Sequence, residues 1–404
     1  MPIVDAVVQC PVFDSFRVRQ IAGMFDMPLR ARMTERFRVE VPGLDEPWTI
    51  GVIVGPSGSG KSTVARCAFG DAVYAGGDWP ADCAVIDCFG DLPVKDITQT
   101  LTAVGFSSPP AWVKPYAVLS NGERFRCDLA RALIGANGVG SASADGIVGT
   151  PTDGRLFTKL PSAKADPTRS SPVVFDEFTS VVDRTVARIG SAAVSKAIRA
   201  GRMNRRFVAV TCHYDVVPWL EPDWVLDMAS GTLARGRLRR PEIRMDIHRV
   251  RQELWDVFKR HHYLSADLNP AAICFAGFVE GSPATFTAVI YFPHPARPGW
   301  REHRTVCLPD FQGVGLGVAM SEFVAGAYRA TGRPYFSTTS HPALIRHRCR
   351  SPLWRVTRKP TTPARPHTSR LAATGSLGRL TAGFEYVGPP RWEDAKRLGI
   401  KNIV

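Results

Sequence analysis

The chain has no apolar run of about 18 residues or more, so no segment is expected to span a membrane and no membrane partner is expected. Its opening, MPIVDAVVQCPVFDSF, lacks a basic stretch followed by an apolar one, which argues against a secretion signal. Cysteine is present at nine positions, an odd number, but no Cys-x-x-Cys pair occurs and the closest two are Cys83 and Cys88. That scatter argues against a disulfide framework or a zinc ribbon, and for reduced thiols in a cytoplasm. No internal repeat is found. Acid is in deficit: 37 Asp+Glu stand against 51 Lys+Arg in the 404 residues.

Hydrophobic residues make up 45%, enough for large cores, and the length calls for two or three domains. Charge is unevenly spread. Residues 1–240 carry 28 basic and 25 acidic residues, and the remainder 23 and 12, so most of the net +14 lies in the C-terminal part. Much of that excess is arginine, which pairs bidentately with phosphates, so a polyanion partner is expected there. Residues 1–240 alternate apolar strand-like runs with helical patterns, the mark of an α/β domain. Within them, 135–171 are rich in Gly, Ser, Ala, Pro and Thr and read as a flexible surface insertion. Residues 233–244 form a basic connector to a second domain at 245–404, expected to hold a helix, a hairpin, a Gly-rich turn and a further helix.

The chemistry of the first domain begins after the apolar strand Val52-Ile53-Val54. Gly55-Pro56-Ser57-Gly58-Ser59-Gly60-Lys61-Ser62 follows it, then the helical Thr63-Val64-Ala65-Arg66. This is G-x-x-x-x-G-K-[ST] between a strand and a helix. Glycines let backbone N–H groups wrap phosphates, the helix N-terminus adds partial positive charge, Lys61 reaches the β/γ oxygens and Ser62 ligates Mg²⁺. Further on, Pro172-Val173-Val174-Phe175-Asp176-Glu177 is a buried-strand run ending in two carboxylates. Asp176 suits the metal, and Glu177 suits the attacking water as base or positioner.

Leu119-Ser120-Asn121-Gly122-Glu123 resembles the signature motif of ABC ATPases, and Ser120-x-x-Glu123 is also a helix capping box. Ser180-Val181-Val182-Asp183 resembles their D-loop, and Phe207–His213, an apolar run ending in histidine, resembles their H-loop. Phe37 stands where an adenine-stacking aromatic is expected. The resemblance implies a P-loop NTPase fold of the ABC class, ATP and Mg²⁺ as ligands, and a head-to-tail homodimer. In such a dimer Ser120, Gly122, Glu123 and Asp183 would meet the ATP bound by the partner, and His213 would contact the γ-phosphate. Two departures argue against a transport role. No convincing Q-loop glutamine follows the expected strand Ala84–Ile86, with Asp91 and Gln99 as stand-ins. The stretch from Lys61 to Ser120 is also short.

In the second domain Ala272–Val279 and Ala284–Phe292 read as strands around Glu280-Gly281, a hairpin signal. Arg304–Leu308 is a third strand. After Pro309-Asp310-Phe311 comes Gln312-Gly313-Val314-Gly315-Leu316-Gly317, then a helix with Met320, Phe323, Val324 and Ala327 on one face, and a strand at Pro334–Thr338. A strand, Q-x-x-G-x-G and a helix resemble motif A of the GNAT acyltransferases. The resemblance implies a mixed α+β fold with Leu308 and Gln312–Gly317 holding the pyrophosphate of acetyl-CoA or another acyl-CoA. The layout resembles an ABC-type ATPase fused to an acetyltransferase domain, known from archaea, bacteria and phages. The second domain is also similar to Mom-like phage acyltransferases that modify adenine in DNA.

Acid/base candidates for acyl transfer are His262, Tyr263, Tyr335, Ser340 and His341. Arg346, Arg348, Arg350, Arg355 and Arg358 around Trp354 suit a nucleic-acid backbone with base stacking, or else form a solvated basic face. The reading is an ATPase fused to an acyl-CoA-dependent acyltransferase that modifies nucleic acid, a DNA base first and RNA second. Its rivals are a nucleic-acid sensor or repair clamp with a silent second domain, and a transporter ATPase subunit.

Overall fold

In a computed structural model, residues 2–29, 32–134, 172–203, 205–262, 267–362 and 380–401 are described. The expected insertion at 135–171 and the candidate Tyr263 lie outside them. In chain order the first elements are β1 (Ile3–Pro11), α1 (Phe16–Met24), β2 (Arg32–Glu40), β3 (Ile50–Val54), α2 (Lys61–Phe69), β4 (Val73–Tyr74), α3 (Val94–Ala103), α4 (Pro109–Trp112) and α5 (Asn121–Ile134). Then come β5 (Val173–Phe175), α6 (Arg184–Arg199), β6 (Phe207–Thr211), α7 (Val217–Leu220), β7 (Trp224–Asp227) and β8 (Thr232–Arg235). The remaining elements are β9 (Asp246–Val250), α8 (Trp255–Phe258), β10 (Ile273–Val279), β11 (Ser282–Phe292), β12 (Gly299–Cys307), α9 (Leu316–Arg329), β13 (Tyr335–Thr339), α10 (Pro342–Arg350), β14 (Trp354–Thr361), β15 (Thr381–Tyr386) and α11 (Trp392–Arg397).

Contacts divide the chain into two compact units. One comprises Met1–Pro80, Asp87–Pro93 and Arg124–Pro241, and the other Ala81–Ile86, Val94–Glu123 and Glu242–Val404. Residues 94–123, which sequence order groups with the first domain, thus fold with the second unit.

The first unit is built on a sheet of order β4-β5-β6-β3-β7-β8, parallel except for the β7–β8 pair. Every residue of β3, β5 and β6 is buried. Their runs, rich in Val, Ile and Phe and free of charge, are what a parallel strand covered on both faces requires. Each such side chain contributes about 1.5–3 kcal/mol on burial. Asp223 fixes the entry to β3: its Oδ2 accepts from the Thr49 and Ile50 amides at 2.7 and 3.0 Å, while Arg199 pairs with Oδ1 at 3.0 Å. Beside this sheet, β1 and β2 form an antiparallel pair from Ile3↔Glu40 to Pro11↔Arg32.

The second unit holds a sheet of order β14-β15-β13-β12-β11-β10-β9. The β10–β11 turn places Glu280 and Gly281 at φ 49° and 79°, the two left-handed positions of a tight hairpin. One face packs Phe275, Val289, Tyr335 and Phe384 against Met320, Val324 and Tyr328 of α9. The other packs Cys274, Phe286 and Ala288 against Trp255 and Phe258. β12 and β13 are parallel and pair only at Trp300↔Tyr335 and Arg301↔Phe336, although both strands continue.

Two expected elements differ. The run Ala84–Ile86 is not a strand of a sheet: Ala84 makes a lone bridge to Pro115, and Val85–Phe89 winds into a 3₁₀ turn. The Val85 amide donates instead to the Lys114 carbonyl at 2.9 Å, in a loop rather than in a strand of the sheet. The second domain opens on strand β9, paired with β10, rather than on a helix. Its sequence DIHRV carries only Ile247 and Val250 as apolar residues, three apart, so no strand periodicity stands out among its polar residues.

Candidate functional site

The first candidate site lies at the C-terminal ends of β3, β5 and β6, where open parallel sheets bind their ligands. After β3, the loop enters α2 through Gly60 at φ 82°. A side chain there would be strained by the backbone, and its Cβ would sit 2.5 Å from the Phe37 ring. Phe37 therefore lies against the loop, and it also packs on the core beneath. Lys61 is buried and donates from Nζ to the Pro56 carbonyl at 2.7 Å, folding its ammonium over the loop. The buried Ser59 hydroxyl has no hydrogen-bond partner among the described residues.

β5 delivers two carboxylates. Asp176 Oδ1 accepts from Ser62 Oγ at 2.9 Å and from the Glu177 amide at 3.0 Å, and Arg66 stands 3.8 Å from Oδ2. Glu177 adopts φ 53°, uncommon for a residue with a side chain, and Oε2 accepts from Ser180 Oγ at 2.6 Å. β6 delivers His213. Burial lowers its pKa and Arg184 lowers it further, against Asp215 and Glu177, so the imidazole is held toward its neutral form. Ser62 and Asp176 are hard oxygen donors. No group of three His, Cys, Asp or Glu among the described residues could hold a metal. Two such donors would suit Mg²⁺, which keeps most of its shell for water and phosphate oxygens.

Other residues predicted to belong here also make local hydrogen bonds. Asp183 N-caps α6, accepting from the Thr185 and Val186 amides at 2.9 and 3.0 Å. Ser120 and Glu123 form the capping box: the Ser120 amide donates to Glu123 Oε2 at 3.0 Å and the Glu123 amide to Ser120 Oγ at 3.3 Å. Ser120 remains exposed.

The second candidate site lies where β12 and β13 end. After Leu308 the chain turns through Pro309–Phe311 to Gln312. Gly313 and Gly315 then take φ 89° and 105°, and Gly315 caps the 14-residue α9. The turn itself, Gln312–Gly317, contains no cationic residue, so an anion there would meet backbone N–H groups and the helix terminus. The Gln312 side chain is buried and engaged at both ends. Nε2 donates to the Cys307 carbonyl at 2.8 Å, and Oε1 accepts from the Ser107 amide at 2.6 Å. Ser340 and His341 follow β13. His341 Nε2 lies 3.2 Å from the Ser107 carbonyl, which requires a proton on that nitrogen, and burial lowers the pKa of the ring. His262 is buried, its ring edge-on to Trp255 with centroids 5.8 Å apart.

A buried charge network that sequence reasoning missed lies where β12 and β13 part. Glu302 accepts from Thr305 Oγ1 and Ser321 Oγ, both at 2.7 Å, from Ser337 Oγ at 2.5 Å and from Arg348 at 2.8 Å. Burial pushes the Glu302 pKa up, Arg348 and the three hydroxyls pull it down, and the lowering prevails. Nothing in Trp300-Arg301-Glu302-His303-Arg304 distinguishes this carboxylate from an exposed one. The same network corrects two expected nucleic-acid contacts. Arg348 is 1% exposed and stacks on Trp354, itself 5% exposed, at 4.2 Å. Both belong to the core because the Glu302 charge needs a partner there. Arg346 is half-buried, while Arg350, Arg355 and Arg358 are exposed. Arg355 pairs with Glu385 at 2.6 Å and Arg358 donates to Thr381 at 3.0 Å.

No family model matches the chain, and no curated protein does. Solved structures of two kinds are similar. A bacterial ABC exporter with ATP bound is 16% identical over 59% of this chain and 40% of its own length, with a TM-score of 0.30. An ATP-binding cassette in a dimeric post-hydrolysis state with ADP and Pi is 13% identical over 58% of this chain and 99% of its own, at 0.34. An acetyltransferase from Bacillus subtilis in complex with CoA is 9% identical over 36% of this chain and 98% of its own, at 0.27. This chain thus spans less than half of the exporter. The fold is α/β in the first unit and mixed α+β in the second, as the strand orders show. No helix of the described residues is long and apolar enough to cross a membrane.

Proposed function

We propose that the first unit binds ATP–Mg²⁺ and hydrolyses it. The observation that carries this reading is the convergence of Lys61, Ser62, Asp176, Glu177 and His213 at the ends of three adjacent parallel strands. Lys61 would exchange the Pro56 carbonyl for phosphate oxygens. Ser62 and Asp176 would share the metal, and the orphan Ser59 hydroxyl and the loop amides would face the phosphates. Glu177 would orient a water whose oxygen attacks the γ-phosphorus as the bond to ADP breaks, with its proton passing toward the carboxylate. A neutral His213 would donate a hydrogen bond to the γ-phosphate. The exposed Ser120 and the half-buried Gly122 at the start of α5 would cap the nucleotide of a second copy, giving a homodimer with shared sites. Glu177→Gln is expected to lower turnover about 10³-fold while ATP binding persists. Light scattering should then show an ATP-dependent dimer, and a monomer at saturating ATP would refute the shared site.

The same proposal gives the second unit acyl transfer from acyl-CoA. The turn from Gln312 to Gly317 would hold the pyrophosphate at the head of α9. An acceptor amine would attack the thioester carbonyl, the C–S bond would break, and the amine proton would pass to the thiolate. The net positive C-terminal part, with Arg350, Arg355 and Arg358 exposed, supports nucleic acid as acceptor, a DNA base before RNA. Radiolabelled acetyl-CoA, incubated with the protein, ATP–Mg²⁺ and DNA or RNA, tests this. Label entering nucleic acid is the expected outcome, and label in neither counts against it. One observation favours a silent module instead: the Gln312 and His341 side chains are both engaged by Ser107. Failure to bind acetyl-CoA would turn the proposal to that reading.

A further inference from the structure

Ser107 sits in Phe106-Ser107-Ser108-Pro109-Pro110, between α3 and α4. Its surroundings are rigid. Phe106 is fully buried, Ser108 is 2% exposed, and two prolines fix the chain that follows. Trp112 Nε1 donates to the Phe106 carbonyl at 3.0 Å, and the Ala111 amide to the Ser108 carbonyl at 2.9 Å. Both polar backbone groups of Ser107 are then held by side chains at the ends of two parallel strands. Its N–H reaches Gln312 Oε1 beyond β12, and its C=O reaches His341 Nε2 beyond β13. Gln312 cannot swing away alone, because its Nε2 is tied to the Cys307 carbonyl. It is also bonded directly to Gly313, the first left-handed residue of the turn.

The position of this clamp in the chain gives it meaning. The chain leaves the first unit after Pro93 and returns to it at Arg124, so 94–123 is a loop of the first unit folded into the second. That loop ends in Ser120–Glu123, which the proposed function places on nucleotide. Glu123 and Lys114 also act electrostatically on His261, after its burial the smaller influences on that ring.

We propose that residues 94–123 couple the nucleotide held by a second copy of the chain to the glycine turn of this copy's second unit. The Ser107 peptide is the coupling contact, and Gln312 and His341 are its positioning residues. The inference rests on the ATP reading. When Ser120–Glu123 engages nucleotide, the stiff segment behind it shifts Ser107, and Gln312 carries the shift into Gly313–Gly317. Linkage makes the effect reciprocal, so a ligand at the turn alters nucleotide affinity by the same factor.

Hydrogen exchange of the full chain, with and without ATP–Mg²⁺, tests this, alongside a separate titration with a fluorescent ATP analogue. Nucleotide is expected to change exchange at 313–319 by at least about 5-fold, the lower end of ordinary coupling between sites. Ser107→Pro removes the donating N–H and His341→Leu the donor to the carbonyl, and either should abolish the change. His341→Gln, which keeps a donor at similar reach, should restore it, an outcome that mere loss of stability would not give. If Ser107→Pro does not fold, the two His341 variants decide. Nucleotide binding with no change at 313–319, or a change that survives His341→Leu, overturns the coupling alone. Absence of nucleotide binding overturns the ATP reading and this inference together.

Discussion

The molecule contains two glycine turns that follow a strand and place a left-handed glycine at a helix N-terminus. Gly60 does this at φ 82° and Gly315 at φ 105°. Around the first, charged and hydroxyl side chains converge from α2 and β5, with Lys61 over the loop and Ser62 on Asp176. The second is built differently. Gln312 and His341 are bonded to backbone, and two charges of that unit, Glu302 and Arg348, are buried against each other. Under the proposed function, the first turn would recognise its ligand by side chains and the second by backbone shape. That difference makes substitutions at the two turns behave differently.

The largest effect is expected at Lys61. Its side chain is buried, and its ammonium would exchange the Pro56 carbonyl for phosphate oxygens. Truncating one partner of such a buried charge pair costs about 4 kcal/mol, so Lys61→Ala should weaken ATP binding about 10³-fold by titration calorimetry. Val314→Ala in the second turn should leave acetyl-CoA affinity within about 2-fold, since a backbone site does not read that side chain. A comparable loss at both positions would erase the contrast.

Next in size is Arg348, which separates structural charge from ligand-binding charge. Arg348→Met leaves the Glu302 carboxylate buried and unpaired and should destabilise the second unit by about 3 kcal/mol in urea melts at neutral pH. The sign with pH is informative. In the native protein the Glu302 pKa lies below its unfolded value of 4.5. Its contribution is therefore present above that pH and lost as pH falls through the folded pKa. Without Arg348 and its charge, burial dominates and raises the folded pKa. The contribution should then be full below the unfolded value and be lost as pH rises through the raised one. A variant with an unchanged pH slope would mean that Arg348 does not hold this charge.

The two turns also differ in how much the sequence revealed. The first is legible down to single residues because its chemistry is written contiguously: Gly55–Ser62 after an apolar run, and Asp176-Glu177 at the end of another. The second turn is legible as glycines and a helix, but not its engagement by Ser107, 205 positions away from Gln312. Long-range pairing of an ordinary serine backbone leaves no local trace. Nor does β14 read as a strand, since its exposed WRVTRKPT looks like a basic tail until β15 pairs with it. Trp354 and Arg348 read as surface groups for a related reason: an aromatic among arginines suits a nucleic acid and a buried ion pair equally well. The 94–123 segment shows that sequence order does not settle which unit a stretch joins, because packing decides it.

Smaller losses than at Lys61 or Arg348 are expected at the glycines themselves, and they sharpen the comparison most. An alanine forced left-handed costs about 1–2 kcal/mol. Gly58, at φ 79°, has open space where a Cβ would stand, with nothing within 4 Å, so Gly58→Ala should bring only that strain and weaken ATP binding about 10-fold. Gly60→Ala should lose more, because its Cβ meets the Phe37 ring at 2.5 Å and the aromatic must move. Gly315→Ala carries the strain of φ 105° at the head of α9 and should weaken acetyl-CoA binding about 10-fold with ATP binding retained. If Gly58→Ala and Gly60→Ala prove equal, Phe37 is a mobile ring rather than a wall of the site. If Gly315→Ala binds acetyl-CoA as the native chain does, the second turn does not recognise its ligand through backbone shape.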